Sequence, residues 1–124
     1  MSQADLDTLI SVIKNHRRIL ILTHEKPDGD AVGASFGLLR ILRNADFKAD
    51  VLMSDPVPGK YRPYSEACLT SAGPGFLAGY DLAIALDCAR YERISACGLD
   101  LRSLPLINLD HHRDNEVKAT YDLV

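Results

Sequence analysis

The chain has 124 residues, the size of one ordinary domain, and its 47% apolar and 25% charged content excludes a disordered polypeptide. Fourteen Lys and Arg against seventeen Asp and Glu give a formal charge of −3, which argues against a bulk nucleic-acid or membrane-surface binder. No apolar run approaches the ~20 residues of a bilayer span, and Met1-Ser2-Gln3-Ala4-Asp5 lacks the basic start and apolar core of a secretory signal.

Ala4 to Arg18 places Leu6, Leu9, Ile10 and Ile13 on one helical face, with Ser2 or Asp5 available as a cap. Ile19 to Thr23 is a continuous apolar run, the pattern of a strand covered on both faces, and it ends in His24. Glu25 to Asp30 contains Pro27 and Gly29 and predicts a loop. The helical period returns from Ala31 to Asn44 through Phe36, Leu39 and Leu42, and Phe47 to Met53 is a second short strand. Asp55 to Gly75 is rich in Pro and Gly, with a short helix expected around Tyr61 to Ala67. Tyr80 to Leu86 is a buried-type strand ending in Asp87, and Asp81 at its other end is expected to be a solvated edge residue. Arg90 to Cys97 fits one or two helical turns, Leu104 to Leu109 a strand running into Asp110-His111-His112, and Ala119 to Val124 the start of one more strand. The alternation predicts an α/β, three-layer, Rossmann-like domain with a mostly parallel sheet and helices on both faces. Ligands in such sheets bind beyond the carboxyl ends of the strands. His24, Asp87 and Asp110-His111-His112 all fall there.

His24-Glu25-Lys26-Pro27-Asp28-Gly29-Asp30 puts an imidazole and carboxylates in one short loop, a set suited to a divalent ion such as Mn²⁺. Asp-Gly-Asp is also ordinary turn chemistry, and Asp30, just before a helix, has an N-cap as its plain role. Asp87, directly after an apolar run, belongs at a strand mouth, where it is either solvated or coordinated. Asp110-His111-His112 sends two adjacent imidazoles to different sides, so one can bind metal while the other faces a substrate, with Asp110 orienting an imidazole.

His24-x-x-Pro27-Asp28-x-Asp30-Ala31-x-Gly33, then Asp87, then Asp110-His111-His112-x-x-Asn115, in this order, resembles the DHH phosphoesterase superfamily. The first motif is most similar to the oligoribonuclease and 3′-phosphoadenosine-5′-phosphate phosphatase branch. Manganese-dependent inorganic pyrophosphatases share a similar motif and remain an alternative. The resemblance implies two Mn²⁺ ions, with His24 and Asp28 holding one, Asp30 and His111 the other, and Asp87 bridging both. His112 would face the scissile phosphate and Asp110 would support the imidazoles. Two ions about 3.5–4 Å apart activate a shared water and neutralise the leaving oxygen. The implied substrate is short RNA or a phosphorylated nucleotide.

Two departures stand out. Ala34 replaces the family's common Ser, which affects the helix entry. The family's fourth motif, an Asp well downstream of the double His, and its C-terminal substrate-binding domain are not found before Val124. The expectation is therefore the N-terminal part of a DHH domain over residues 1–124, binding Mn²⁺ weakly at one position and turning over phosphoesters poorly. A non-catalytic metal- or nucleotide-binding fragment and a homodimer stay open. Cys68, Cys88 and Cys97 form no C-x-x-C pair and fit reduced thiols in a cytoplasmic protein. Cys88 in particular reads as a small buried residue. His16, among Lys14, Arg17 and Arg18, reads as a helix C-terminal partner.

Overall fold

Five strands, all parallel, build a single sheet in the computed structural model, which describes residues 3–53, 55, 57–64, 69, 75–88, 101–110 and 121–123. The elements are α1 (Gln3–Lys14), β1 (Arg18–Leu22), α2 (Gly29–Asn44), β2 (Lys48–Leu52), β3 (Leu82–Leu86), β4 (Leu106–Leu109) and β5 (Tyr121–Leu123). Tight 3-10 turns occur at Gly59–Tyr64, Phe76–Gly79 and Leu101–Ser103. The expected turns at Arg90 to Cys97 lie outside the described residues, as do residues 65–67 of the expected helix after Tyr61 and the cap candidate Ser2.

The strand pleat explains the continuous apolar runs, because successive side chains enter two different cores. Ile19, Ile21, Val51, Ile84 and Ile107 face α1 and α2. Leu20, Leu22, Ala83, Ala85 and Leu106 face the opposite layer, where the 3-10 turns contribute Phe76, Leu77 and Leu101. Each fully buried Leu or Ile stabilises the sheet by about 1.5–3 kcal/mol relative to exposure.

Three expectations need correction. Helix α1 stops at Lys14 rather than Arg18, because Arg18 joins the ladder opposite Lys48. Its inward stripe is buried Val12 flanked by partly buried Leu9 and Ile13, while Leu6 and Ile10 remain 40% and 42% exposed. Asp81 is not merely a solvated edge: its carboxylate accepts the backbone N–H groups of Arg17 at 3.1 Å and Arg18 at 2.9 Å, pinning the entry of β1 against β3. Helix α2 begins at Gly29, two residues early, because extended Asp28 (φ −98°, ψ −170°) caps it by accepting the Ala31 N–H at 3.0 Å. Asp30 consequently lies inside the first turn and not at the cap. His16 does serve the end of α1, since its Nδ1 lies 2.6 Å from the Val12 carbonyl oxygen, to which an imidazole N–H donates.

The strand order β2-β1-β3-β4-β5 fixes where a ligand can enter. The chain leaves β1 for β2 on one side and later places β3 on the other side of β1. This reversal opens a crevice beyond the carboxyl ends of β1 and β3.

Candidate metal centre

The crevice between β1 and β3 is where the chain turns polar. Thr23 is fully buried and its hydroxyl donates to the Leu86 carbonyl at 2.8 Å, tying the end of β1 to the end of β3. The next residue on each strand is His24 and Asp87, so this bond sets the spacing between their side chains. Asp87 N–H donates in turn to the Leu109 carbonyl at 3.0 Å, which brings the end of β4, and Asp110 after it, alongside.

His24 Nε2 lies 3.5 Å from Asp87 Oδ2 and 3.7 Å from Asp28 Oδ1. One ligand atom from each of these three residues falls within 4.8 Å of the others. Two donors bound to one ion at about 2.1 Å stand roughly 3.0–3.4 Å apart, so this spacing requires only small side-chain movements to enclose a cation. His24 and Asp87 are buried while the Asp28 side chain is 65% exposed, which leaves an open approach from solvent.

The imidazole is already oriented for such a role. His24 Nδ1 lies 2.6 Å from the Glu25 carbonyl oxygen, a contact that is favourable when Nδ1 carries the proton. Nε2 then presents its lone pair to the two carboxylates, the arrangement by which a backbone carbonyl sets the tautomer of a metal-binding His. The Ala31 N–H bonded to Asp28 holds its carboxyl below the usual carboxylate range; partial burial opposes this and His24 adds to the lowering. Asp87 has φ +56°, in the left-handed region that costs a residue with a Cβ about 1–2 kcal/mol and that Asp tolerates better than most. Such strain gathers at sites where neighbouring contacts over-determine the backbone. The donor set is one nitrogen and two carboxylates, which fits a divalent ion of intermediate hardness and not a thiolate-preferring one.

Of the residues singled out from sequence, the structure brings His24, Asp28 and Asp87 together. Asp30 is exposed on the first turn of α2, outside this three-residue cluster, and Asp110 follows β4. His111 and His112 lie outside the described residues, as do Cys68 and Cys97. Cys88 is 1% exposed and packs in the second core.

Sequence reasoning overlooked three neighbours of this loop. Thr23 carried a weak signal, a hydroxyl closing an apolar strand. Asp55 accepts the Lys26 N–H at 2.7 Å and fixes the loop between His24 and Asp28, in which Lys26 itself has φ +49°. Tyr61 reaches the start of α2 so closely that a Cβ on Gly29 would meet its hydroxyl at 2.9 Å. Neither of these two was marked by any local pattern.

The chain is also similar to known proteins. Residues 18–124 match the family described as DHH family, N-terminal domain. A bifunctional oligoribonuclease and PAP phosphatase NrnA of Mycoplasma pneumoniae is 30% identical over 122 residues, covering 93% of this chain and 37% of that protein. The NrnA of Thermus thermophilus is 33% identical over 100 residues, covering 78% of this chain and 28% of that protein. The crystal structure of an exopolyphosphatase-related protein from Bacteroides fragilis superposes with a TM-score of 0.80 at 25% identity, covering 98% of this chain and 38% of the other. The chain thus spans only 28–38% of the length of the relatives it matches. Among the described residues no helix is long and apolar enough to cross a membrane.

Proposed function

The chain belongs to the DHH family, whose members are metal-dependent, and from that membership we propose that it supplies the metal-binding part of a phosphoesterase that uses manganese to cleave short oligoribonucleotides or 3′-phosphoadenosine-5′-phosphate. The convergence of His24, Asp28 and Asp87 at the strand-order reversal carries this reading. The names of the two NrnA relatives support the substrate class.

In this reading His24, Asp28 and Asp87 would hold one ion, and Asp30 and His111, together with Asp87, would hold a second. When bound, the ions supply Lewis-acid activation of water and neutralise charge on the phosphoryl oxygens. The protein's own groups prepare that chemistry. The Glu25 carbonyl keeps the His24 proton on Nδ1, and the Ala31 N–H keeps Asp28 ionised. The Thr23 hydroxyl holds the β1 and β3 ends together. His112 would act toward the scissile phosphate, and Asp110 would support the imidazoles. A substrate-binding lobe outside residues 1–124 completes the enzyme, which works in the cytoplasm.

The test is hydrolysis of a ribodinucleotide, 3′-phosphoadenosine-5′-phosphate and pyrophosphate with Mn²⁺, by the 124-residue chain and by the protein extended past Val124. Dinucleotide cleavage by the extended protein, lost in EDTA and in His24→Ala, is expected, with the short chain near background. Faster turnover of pyrophosphate would reassign the site to a pyrophosphatase. Absent turnover with both ions bound would leave a binding fragment.

A further inference from the structure

The opposite edge of the sheet carries a second concave site. A cavity of about 480 Å³ is lined by Lys14, His16, Arg17, Arg18, Phe47 and Lys48, with Asp46 also on its wall. The volume falls within the roughly 300–1,000 Å³ range of small-ligand pockets. It lies at the amino ends of β1 and β2, roughly 20 Å along β1 from His24 at ~3.3 Å per residue.

Ion pairing among the described residues does not account for the cations here. Arg18 and Lys48 are paired across β1 and β2, and like charges on paired positions are destabilising. Among the described residues no carboxylate forms an ion pair with Lys14, Arg17, Arg18 or Lys48. The carboxylate of Asp81 takes the backbone N–H groups of Arg17 and Arg18, not their guanidinium groups. Helix ends are the ordinary reason for basic residues at such a place, but these ends are already served. His16 and the backbone meet the last carbonyls of α1, and Ala45, Asp46 and Phe47 N–H groups meet those of α2. Four exposed cations therefore line one hollow with Asp46 as the carboxylate on its wall, in a chain of net charge −3.

We propose that this pocket binds a nucleotide carrying two phosphates, independently of the metal centre. Arg18 and Lys48, on neighbouring strands, meet one phosphoryl group, and Lys14 and Arg17 meet the other. Half-buried Phe47 supplies an apolar wall for the base. A half-open hollow of about 480 Å³ holds a small polyanion more readily than an RNA strand, which needs a continuous groove.

The experiment is calorimetric titration of ADP into the 124-residue chain in EDTA, where the metal centre cannot contribute. Expected are one site, weakened between 50 and 200 mM salt, and at least about a tenfold loss of affinity in Arg18→Gln/Lys48→Gln, with the circular dichroism spectrum unchanged. ADP binding persists in His24→Ala, and adenosine alone does not bind. Pyrophosphate binding as tightly as ADP overturns the nucleotide assignment. ADP binding that ignores the double substitution or vanishes in His24→Ala overturns the location, and no binding at millimolar ADP overturns the proposal entirely. None of these outcomes depends on phosphoesterase activity, so this proposal and the metal-centre reading fail separately.

Discussion

The two edges of one parallel sheet differ in sign and in construction. At the carboxyl edge, imidazole and carboxylate groups converge behind a buried hydroxyl bond, on backbone held at a positive φ. At the amino edge, long cationic side chains surround a hollow, and the contact that anchors it is the Asp81 carboxylate on two backbone N–H groups. The first edge is preorganised, with short rigid side chains fixed by hydrogen bonds. The second is a soft electrostatic surface. Substitution should therefore act through geometry at the carboxyl edge and through charge at the amino edge.

The largest effect is expected at Asp87. Asp87→Asn keeps a residue that tolerates the left-handed backbone while removing the charge, so Mn²⁺ affinity should fall about 100-fold or more, beyond the 10–100-fold typical of residues that only orient ligands. Asp87→Ala should lose the same affinity and a further ~1–2 kcal/mol of stability, because Ala gains nothing in that conformation. Calorimetric Mn²⁺ titration and urea unfolding of both variants separate the two effects. Equal stability of the two would mean that the positive φ stores no strain.

Thr23 tests whether the clamp matters. Thr23→Val preserves shape but leaves the buried Leu86 carbonyl without its donor, at a cost of about 1–3 kcal/mol. Mn²⁺ affinity should fall by up to about tenfold as the His24–Asp87 spacing loosens, and Thr23→Ser should restore most of it. A Val variant that loses stability with unchanged Mn²⁺ affinity would reduce Thr23 to a packing residue.

The same contrasts explain which features are legible in the amino-acid sequence. The strands are, because a run such as Leu82 to Leu86 must be covered on both faces, and the strand-end rule then locates His24 and Asp87. Helix α2 is legible in its body but not its start, since capping by Asp28 depends on one backbone conformation that Asp-Gly-Asp permits without dictating. Asp28 thus caps the helix while lying beside His24 and Asp87, a pairing that spacing alone cannot reveal. Thr23, Asp55 and Tyr61 act through contacts 63, 29 and 32 residues distant in sequence, to Leu86, Lys26 and Gly29, and no local pattern encodes such partners. The basic edge reads in sequence only as residues around a helix end, because Lys48 joins Arg18 solely through strand pairing.

The smallest effect belongs to Asp81, and pH gives it a sign. Burial pushes its carboxyl up, but the N–H groups of Arg18 and Arg17, helped by His16, more than reverse this, so it titrates below the usual carboxylate range. A carboxyl whose pKa is lower folded than unfolded adds stability above its unfolded value near 4, and that stability disappears as pH falls through the folded value. Asp81→Asn still offers an oxygen to the two N–H groups but no charge. It should therefore cost about 1 kcal/mol or less at pH 7 for a contact this exposed. The gap between wild type and variant in urea melts should be constant from pH 7 to 5 and close below about pH 4. A gap that stays unchanged down to the lowest pH at which the protein remains folded would assign the contribution of Asp81 to shape and hydrogen-bond geometry, making the amino edge as preorganised as the carboxyl edge.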